Sequence, residues 1–433
     1  MPGVKRKSDL DGLGLCSTLI GENPSIIGDS SSKKRKSHGS NDVTSYVLLD
    51  KSILMTSLKD AGYIVKNGDC PNVLKEDQAI FLKKFIRDIT TQSDYPESIE
   101  KIKETLGQWL DDEVFLVKCL NPTDTSVTCS TARSSKQDSL IRLLLNVDDI
   151  QPILLTFLLE KLAETSIVQE GAEETQSQNI PRLILSSMRW LDKMVDGETI
   201  AEKMTEILTV TSRYQQVEVI SALPEILPSQ YHNNIAPHLQ DMLKEHNALV
   251  STIVDCLGNL KLNQDQVTKT KTVLIDNMSG AKFQLSDLPV VVEFLLASIS
   301  KKEECLSLVG DLRENLELTA KTRPSQRVGP SSAKQKDTRD NDCKKSIECI
   351  IMDKFYISML TDKKMFDAWF LALAAVKDAE EMKPLDFLIM VEMCRNKQRR
   401  KMVEGLLKNM IKKAMLTEEL IVVAFEKHPA ELC

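Results

Sequence analysis

The sequence predicts an all-α protein: an irregular α-solenoid of HEAT or armadillo type behind a disordered basic tail. Three observations carry that expectation. Hydrophobic residues make up 42% of 433 positions but aromatics only 5%, so Leu, Ile, Val and Met must fill the interior, as where helix packs on helix. Gly (16) and Pro (15) are sparse, and few runs alternate apolar with polar, which disfavours an all-β or a Rossmann-like α/β chain. From Ser45 onward apolar residues recur at i, i+3, i+4 and i+7 in segments of about 10–17 residues, each too small to bury its face alone.

The elements follow in order. Residues 1–44 are Ser- and Lys-rich without an apolar face, so they cannot offset chain entropy and are read as disordered. Phe81, Leu82, Phe85 and Ile86 form one helical stripe. Ile99, Ile102, Leu106 and Leu110 form another after the breaker Asp94-Tyr95-Pro96. A polar gap at 121–138 precedes Leu140–Leu145, Gln151-Pro152 and a helix over Ile153–Leu162. A Glu/Gln/Thr-rich loop spans 165–178.

The densest array follows, with helices expected at Pro181–Met194, Thr199–Leu208, Gln215–Leu227, Ile235–His246, Val250–Leu260, Gln264–Met278, Leu288–Ser300 and Lys302–Leu318. Trp190 falls inside the first and is expected to pack between helices. Asp287 is expected to cap the helix that carries Pro289 in its first turn. Residues 319–345 hold Pro, Ser, Lys and Arg with almost nothing apolar and divide the array into 45–318 and 346–433. The second part holds helices at Ser346–Leu360, Phe366–Val376, Pro384–Cys394, Gln398–Ile411 and Thr417–Glu426. The chain stops at Cys433 without the polar capping helix a solenoid end requires, the expectation for a fragment or truncated form.

Composition excludes several function classes. No stretch of about 18 apolar residues could span a membrane, and the first 40 residues lack the apolar core of a secretory signal. Ten cysteines are scattered without a Cys-x-x-Cys pair, as expected of reduced thiols. No Walker A loop, Gly-x-Gly-x-x-Gly, His-Glu-x-x-His or Gly-x-Ser-x-Gly is present, so no enzymatic chemistry and no cofactor are expected. His232, His238 and His246 cluster without a cysteine or a well-placed carboxylate, a poor zinc set.

The net charge of −7 hides basic segments. Lys33, Lys34, Arg35 and Lys36, with Lys5-Arg6-Lys7 upstream, suit the acidic groove of a nuclear import receptor; an ordinary solvated tail is the plainer alternative. Arg395, Lys397, Arg399, Arg400, Lys401 and Lys408, followed by Lys412 and Lys413, lie on two successive helices. They suit phosphate contacts to DNA, against the plainer reading of a solvated face partly neutralised by Glu404. Ser-Gln or Thr-Gln occurs at Thr91, Thr175, Ser177, Ser229 and Ser325, dipeptides that suit damage-checkpoint kinases.

A series of short motifs carries a family resemblance. Gln151-Pro152, Ile180-Pro181-Arg182-Leu183, Trp190-Leu191-Asp192, Val195-Asp196-Gly197, Leu223-Pro224-Glu225-Ile226-Leu227 and Asp287-Leu288-Pro289-Val290 follow one another. Their order and spacing resemble the amino-terminal solenoid of the Fanconi anaemia group D2 family, from about Ser45 to Leu420. The resemblance implies a non-enzymatic nuclear DNA-repair scaffold that pairs with the paralogous Fanconi anaemia group I solenoid subunit. It further implies that the pair encloses double-stranded DNA and is locked at interstrand crosslinks by ubiquitin, attached by the Fanconi E3 core complex.

The same resemblance places a checkpoint phosphorylation at Ser229 and a ubiquitin-binding element at Leu223 and Pro224; the plainer reading packs Leu223 in a helix pair and has Pro224 kink its helix. Family members are several times longer, and neither the acceptor-lysine segment nor the proliferating-cell-nuclear-antigen motif is found in this sequence. Two alternatives stay open: a nuclear transport or adaptor solenoid binding peptides in its concave groove, and an inactive or regulatory short form. A row of Trp/Asn pairs would mark the former, whereas only Trp109, Trp190 and Trp369 occur, widely spaced.

Overall fold

The computed structural model describes residues 52–66, 70–92, 95, 97–125, 138–168, 180–246, 248–280, 282–299, 301–316, 347–418 and 421–422. The predicted tail and the 319–345 segment lie outside the described residues, as does most of the predicted Thr417–Glu426 helix.

The fold is all-α. The helices are α1 (Ile53–Asp60), α2 (Gln78–Thr90), α3 (Glu97–Asp111), α4 (Glu113–Leu120), α5 (Leu140–Leu144), α6 (Gln151–Val168), α7 (Ile180–Met188), α8 (Gly197–Val210) and α9 (Arg213–Ile226). Then come α10 (His232–Glu245), α11 (Val250–Asn259), α12 (Gln264–Ser279), α13 (Leu288–Ala297), α14 (Lys302–Asn315), α15 (Ile347–Thr361), α16 (Lys363–Ala375), α17 (Pro384–Arg395) and α18 (Arg400–Lys412). Short polar side chains start many of them. Ser52, Asp77, Asp112, Ser139, Asp196, Asn263 and Asp362 each accept a bond from a free amide of the first turn. Pro289 and Pro384 sit in first turns, where the missing N–H costs nothing.

Packing is organised in two rows. From α6 to α15 each helix packs on the helix two places ahead: α6, α8, α10, α12, α14 and α16 form one row, and α7, α9, α11, α13, α15 and α17 the other, with α18 packed on α17. That next-but-one pattern defines a solenoid of helix pairs. It continues through α13 on α15 and α14 on α16, so residues 317–346 join adjacent rungs of an unbroken stack. Leu, Ile, Val and Met form the core throughout. Some aromatics pair within it: Tyr63–Phe81 tilted, Phe81–Phe85 stacked, and Trp109–Phe115 and Phe355–Trp369 edge-on.

Polar side chains tie neighbouring rungs. Gln240 on α10 donates to Gln266 and Thr270 on α12, and Asn277 donates to the Leu243 carbonyl. His232 engages both ring nitrogens, with the Leu227 carbonyl and the Lys261 amide, each at 2.8 Å. It is a joint between loops and has no nitrogen left for a metal.

The structure corrects the sequence reading in four places. A small sheet precedes the array: β1 (Tyr63–Ile64) runs antiparallel to β2 (Val73–Leu74), which runs parallel to β3 (Asp124–Thr125). Two-residue strands leave no periodicity to read. Helix α6 continues to Val168, into the expected loop. Asp287 does not cap α13; its carboxylate accepts from the Gln284 amide and the Ser251 hydroxyl, closing the short 3-10 turn before the helix. Trp190 is not buried. Helix α7 ends at Met188, and Trp190 follows in the left-handed conformation (φ 56°) with 67% of its surface exposed.

Candidate nucleic-acid interface

The basic cluster lies on α17, α18 and the turn between them, which holds Lys397 and Arg399 where the sequence predicted helix from Gln398, and the structure divides it by residue type. The arginines are all paired with groups of this chain, Arg399 half-buried and Arg395 and Arg400 still exposed. Arg395 pairs with Glu392 at 2.7 Å and Asp353 at 3.5 Å, and its guanidinium lies 4.3 Å over the Tyr356 ring of α15. Arg399 reaches Asp367 at 3.4 Å and lies 4.4 Å over the Phe366 ring of α16. These are clasps between the last helices and the rung beneath, combining ion pairing with attraction to a ring face. Arg400 pairs with Glu404 one turn along α18 at 2.9 Å.

The lysines behave otherwise. Lys397, Lys401, Lys408, Lys412 and Lys413 are exposed. On α18, buried Val403 and Met410 turn the opposite face to the stack. At about 100° per residue, Lys401, Gly405, Lys408 and Lys412 fall within about 60° of one another on the solvent side. The helix ends in a left-handed Ala414 (φ 54°), with the Met415 amide bonding back to the Met410 carbonyl.

A second constellation joins the short sequence motifs. Arg142 on α5 donates to the carbonyls of Ser186, Arg189 and Trp190. Buried Gln151 donates to the carbonyls of Leu145 and Lys193 and accepts from the Val195 amide, each at 2.7 Å. The Trp190 amide donates to the Glu225 carbonyl at 2.9 Å. Asp196 caps α8. A Cβ on Gly197 would stand 2.1 Å from the Tyr231 ring, so only glycine fits there. Arg182 pairs with Glu218 at 2.7 Å and donates to the Tyr214 hydroxyl. Gln-Pro, Trp-Leu-Asp, Val-Asp-Gly and Leu-Pro-Glu-Ile are therefore parts of one junction among α5, α6, α7, α8 and α9, pinned by backbone hydrogen bonds.

Comparison with known proteins decides the family. The sequence matches the family described as Fanconi anaemia protein FancD2 nuclease over residues 18–433. The chain belongs to the FancD2 family. It is 30% identical over 406 residues to the Fanconi anemia group D2 protein homolog of Mus musculus, covering 91% of this chain and 27% of that protein. It is 29% identical over 406 residues to the Rattus norvegicus homolog, with the same coverage. To the Gallus gallus group D2 protein it is 28% identical over 394 residues, 88% of this chain and 27% of that protein. The chain thus spans about a quarter of the length of these relatives.

The other sequence-predicted residues of this FancD2-family chain are scattered. Ser229 is exposed and opens a 3-10 turn, Ser229–Tyr231, that leads directly into α10. Leu223 is 0% exposed in α9, so a partner would have to open the helix pair to reach it. Pro224 lies half-buried beside it, inside the helix. Lys33, Lys34, Arg35 and Lys36 lie outside the described residues. Among the described residues no group of three or more His, Cys, Asp or Glu is placed to hold a metal ion, and no described helix is long and apolar enough to cross a membrane. The arginine clasps were invisible in sequence, because apart from Glu392 their ring and carboxylate partners sit on helices α15 and α16, more than 30 residues away.

Proposed function

We propose that this chain acts as a non-enzymatic DNA-repair scaffold of the Fanconi anaemia pathway. Its long side offers contact area to the paralogous group I solenoid subunit, and the pair embraces duplex DNA. The tail around Lys33–Lys36 directs the protein to the nucleus. Phosphorylation at Ser229 would add nearly two negative charges at the start of α10, where the helix dipole favours them. Ubiquitin, attached by the Fanconi E3 core complex, is the covalent lock in this reading.

The observation that supports it best is the unbroken two-row stack within a FancD2-family sequence, whose signature motifs are spent on holding rungs together. Such a molecule works through extended surfaces, and binding area grows with the number of stacked rungs. A transport-type adaptor is less well supported. Trp109 and Trp369 are buried, which leaves only Trp190 of the three tryptophans for a peptide-binding row.

Two measurements test the reading. Purified chain and purified group I subunit are mixed and sedimented, with and without duplex DNA; a DNA-stabilised heterodimer, weaker than that of a full-length relative, is expected. Absence of any complex at micromolar concentrations refutes pairing through this segment. In parallel, a ubiquitination reaction with the pathway's E2 and E3 is expected to give no single-site product on this chain. A stoichiometric, DNA-stimulated adduct, on Lys261 or Lys408 for example, would show that the acceptor lies within it.

A further inference from the structure

We infer that the solvent face of α18 is a sequence-independent phosphate-binding stripe: Lys401, Lys408 and Lys412 along one line, Lys397 ahead of it, and Gly405 at its centre. The inference rests on the DNA-binding reading above for the choice of ligand, and goes beyond it in naming the residues and the kind of recognition.

Three independent features point the same way. The first is the division of labour already described. Arg395, Arg399 and Arg400 are committed to carboxylates and rings of this chain. The three stripe lysines are exposed and face no counter-ion among the described residues. Glu404, the acid on the flank of the stripe, is engaged by Arg400. The helix face is therefore a line of uncompensated positive charge in a protein whose net charge is −7.

The second is geometry. From Lys401 to Lys412 is about 16 Å along the helix, at about 1.5 Å per residue. One strand of B-form DNA carries a charge every 3.4 Å of axis, so the stripe matches about five nucleotides of one backbone. The third is Gly405. A glycine inside a helix costs about 0.5–1 kcal/mol relative to alanine. Here it has neither a positive φ nor a packed neighbour to require it, since a Cβ would meet nothing within 4 Å. Its place between Lys401 and Lys408 leaves the backbone bare where a phosphate would approach most closely.

Recognition by this stripe is of charge and not of base. Guanine readout in the major groove uses the rigid two-pronged donor of arginine. Each arginine of this cluster is already paired with a carboxylate of this chain, and a lysine ammonium is a point charge on a flexible stem. The ligand is one phosphodiester strand of a DNA duplex.

The test uses the full chain and two probes, a mixed-sequence DNA duplex and its isolated single strand, with affinity measured by fluorescence anisotropy at several salt concentrations. Lys401→Ala, Lys408→Ala and Lys412→Ala should each flatten the slope of log affinity against log salt by about 0.9 on the duplex and about 0.7 on the single strand. The triple variant should lose nearly three units on the duplex without a lower melting temperature, because alanine is the best helix former. Gly405→Glu should hold or raise the melting temperature and weaken DNA binding at least tenfold at low salt. Arg399→Ala should lower the melting temperature and leave the salt slope alone. The duplex is expected to bind more tightly than the single strand at equal salt; tighter binding of the single strand would overturn the duplex assignment.

If the wild-type chain binds DNA and the triple lysine variant keeps its slope, the stripe is wrong and the DNA-binding reading stands. If the wild-type chain binds neither probe at 50 mM salt, DNA binding by this segment is itself refuted.

Discussion

Arg313 and Asp386 provide the most demanding test of how the stack is held together. Asp386 is 0% exposed at the start of α17. Its two carboxylate oxygens accept from Arg313 Nε at 2.7 Å and Nη2 at 2.8 Å, and one also accepts from the Lys383 amide at 3.0 Å, capping the helix. Arg313 lies in the last turn of α14 and also donates to the Glu381 carbonyl. The pair therefore fastens the rung before residues 317–346 to the rungs after them.

Arg313→Met removes one partner and leaves a buried carboxylate with a single backbone donor. Breaking a buried pair in this way costs about 3–5 kcal/mol. The guanidinium keeps some exposure (19% of the side chain), so the lower end applies. Unfolding of a long stack is not a single all-or-none step, so a global melt would blur the effect. Hydrogen exchange by mass spectrometry resolves it. Amides of α17 should exchange roughly a hundredfold faster, which corresponds to about 3 kcal/mol of local stability, while amides of α9 and α10 should be unchanged. Replacing both partners, as in Arg313→Met with Asp386→Leu, should recover part of the loss, because no charge is left buried and alone. Unaltered exchange in α17, or an equal acceleration everywhere, would refute a local clasp.

Two other expectations follow from exposure and charge. Trp190→Gly should leave the chain as stable as before, or up to about 1–2 kcal/mol more stable, since a left-handed non-glycine residue is strained and its indole covers no core; the same variant should abolish the acrylamide-quenchable, red-shifted fluorescence and keep that of Trp109 and Trp369. His238 has its titration pushed below the ordinary imidazole range by burial of the ring, partly countered by Asp241 and Glu245. Its folded-state pKa lies below the unfolded value of about 6.5, so the stability it contributes is present above that pH and falls away as pH drops through the lower folded value. Chemical denaturation between pH 7.5 and 5 should show the decline, and His238→Gln should reduce it.

Much of the architecture was legible in the sequence because the helices are amphipathic and their turns chemically marked. The span Gln264–Met278 ends one residue from its observed close, since Asn263 is a good cap and Gly280 a good stop. Trp190 was misplaced for a physical reason. Ile180, Ile184, Leu185 and Met188 set a helical period that Leu191 and Met194 continue in register, and nothing local says that Arg142 and Gln151 will capture the intervening carbonyls. Asp287 was misread because its partners include Ser251, on a different helix. In the basic cluster the charges were visible but their partition was not. Whether an arginine meets solvent or the face of Phe366 depends on which rung lies below it, and that is information about packing.

The next-but-one stacking has a consequence for how the chain folds. Within the array, most rungs are reached by closing a short connection, and any rung can template the next. Residues 317–346 interrupt that economy once. In the unfolded chain, bringing together ends separated by about thirty residues in place of about ten costs roughly 1 kcal/mol more. The α14–α15 step should therefore be the slowest rung to add, and the Arg313–Asp386 bond among the last to form. A nascent chain would pause there as two blocks, with the faces of α13 and α14 exposed to whatever protein reaches them first.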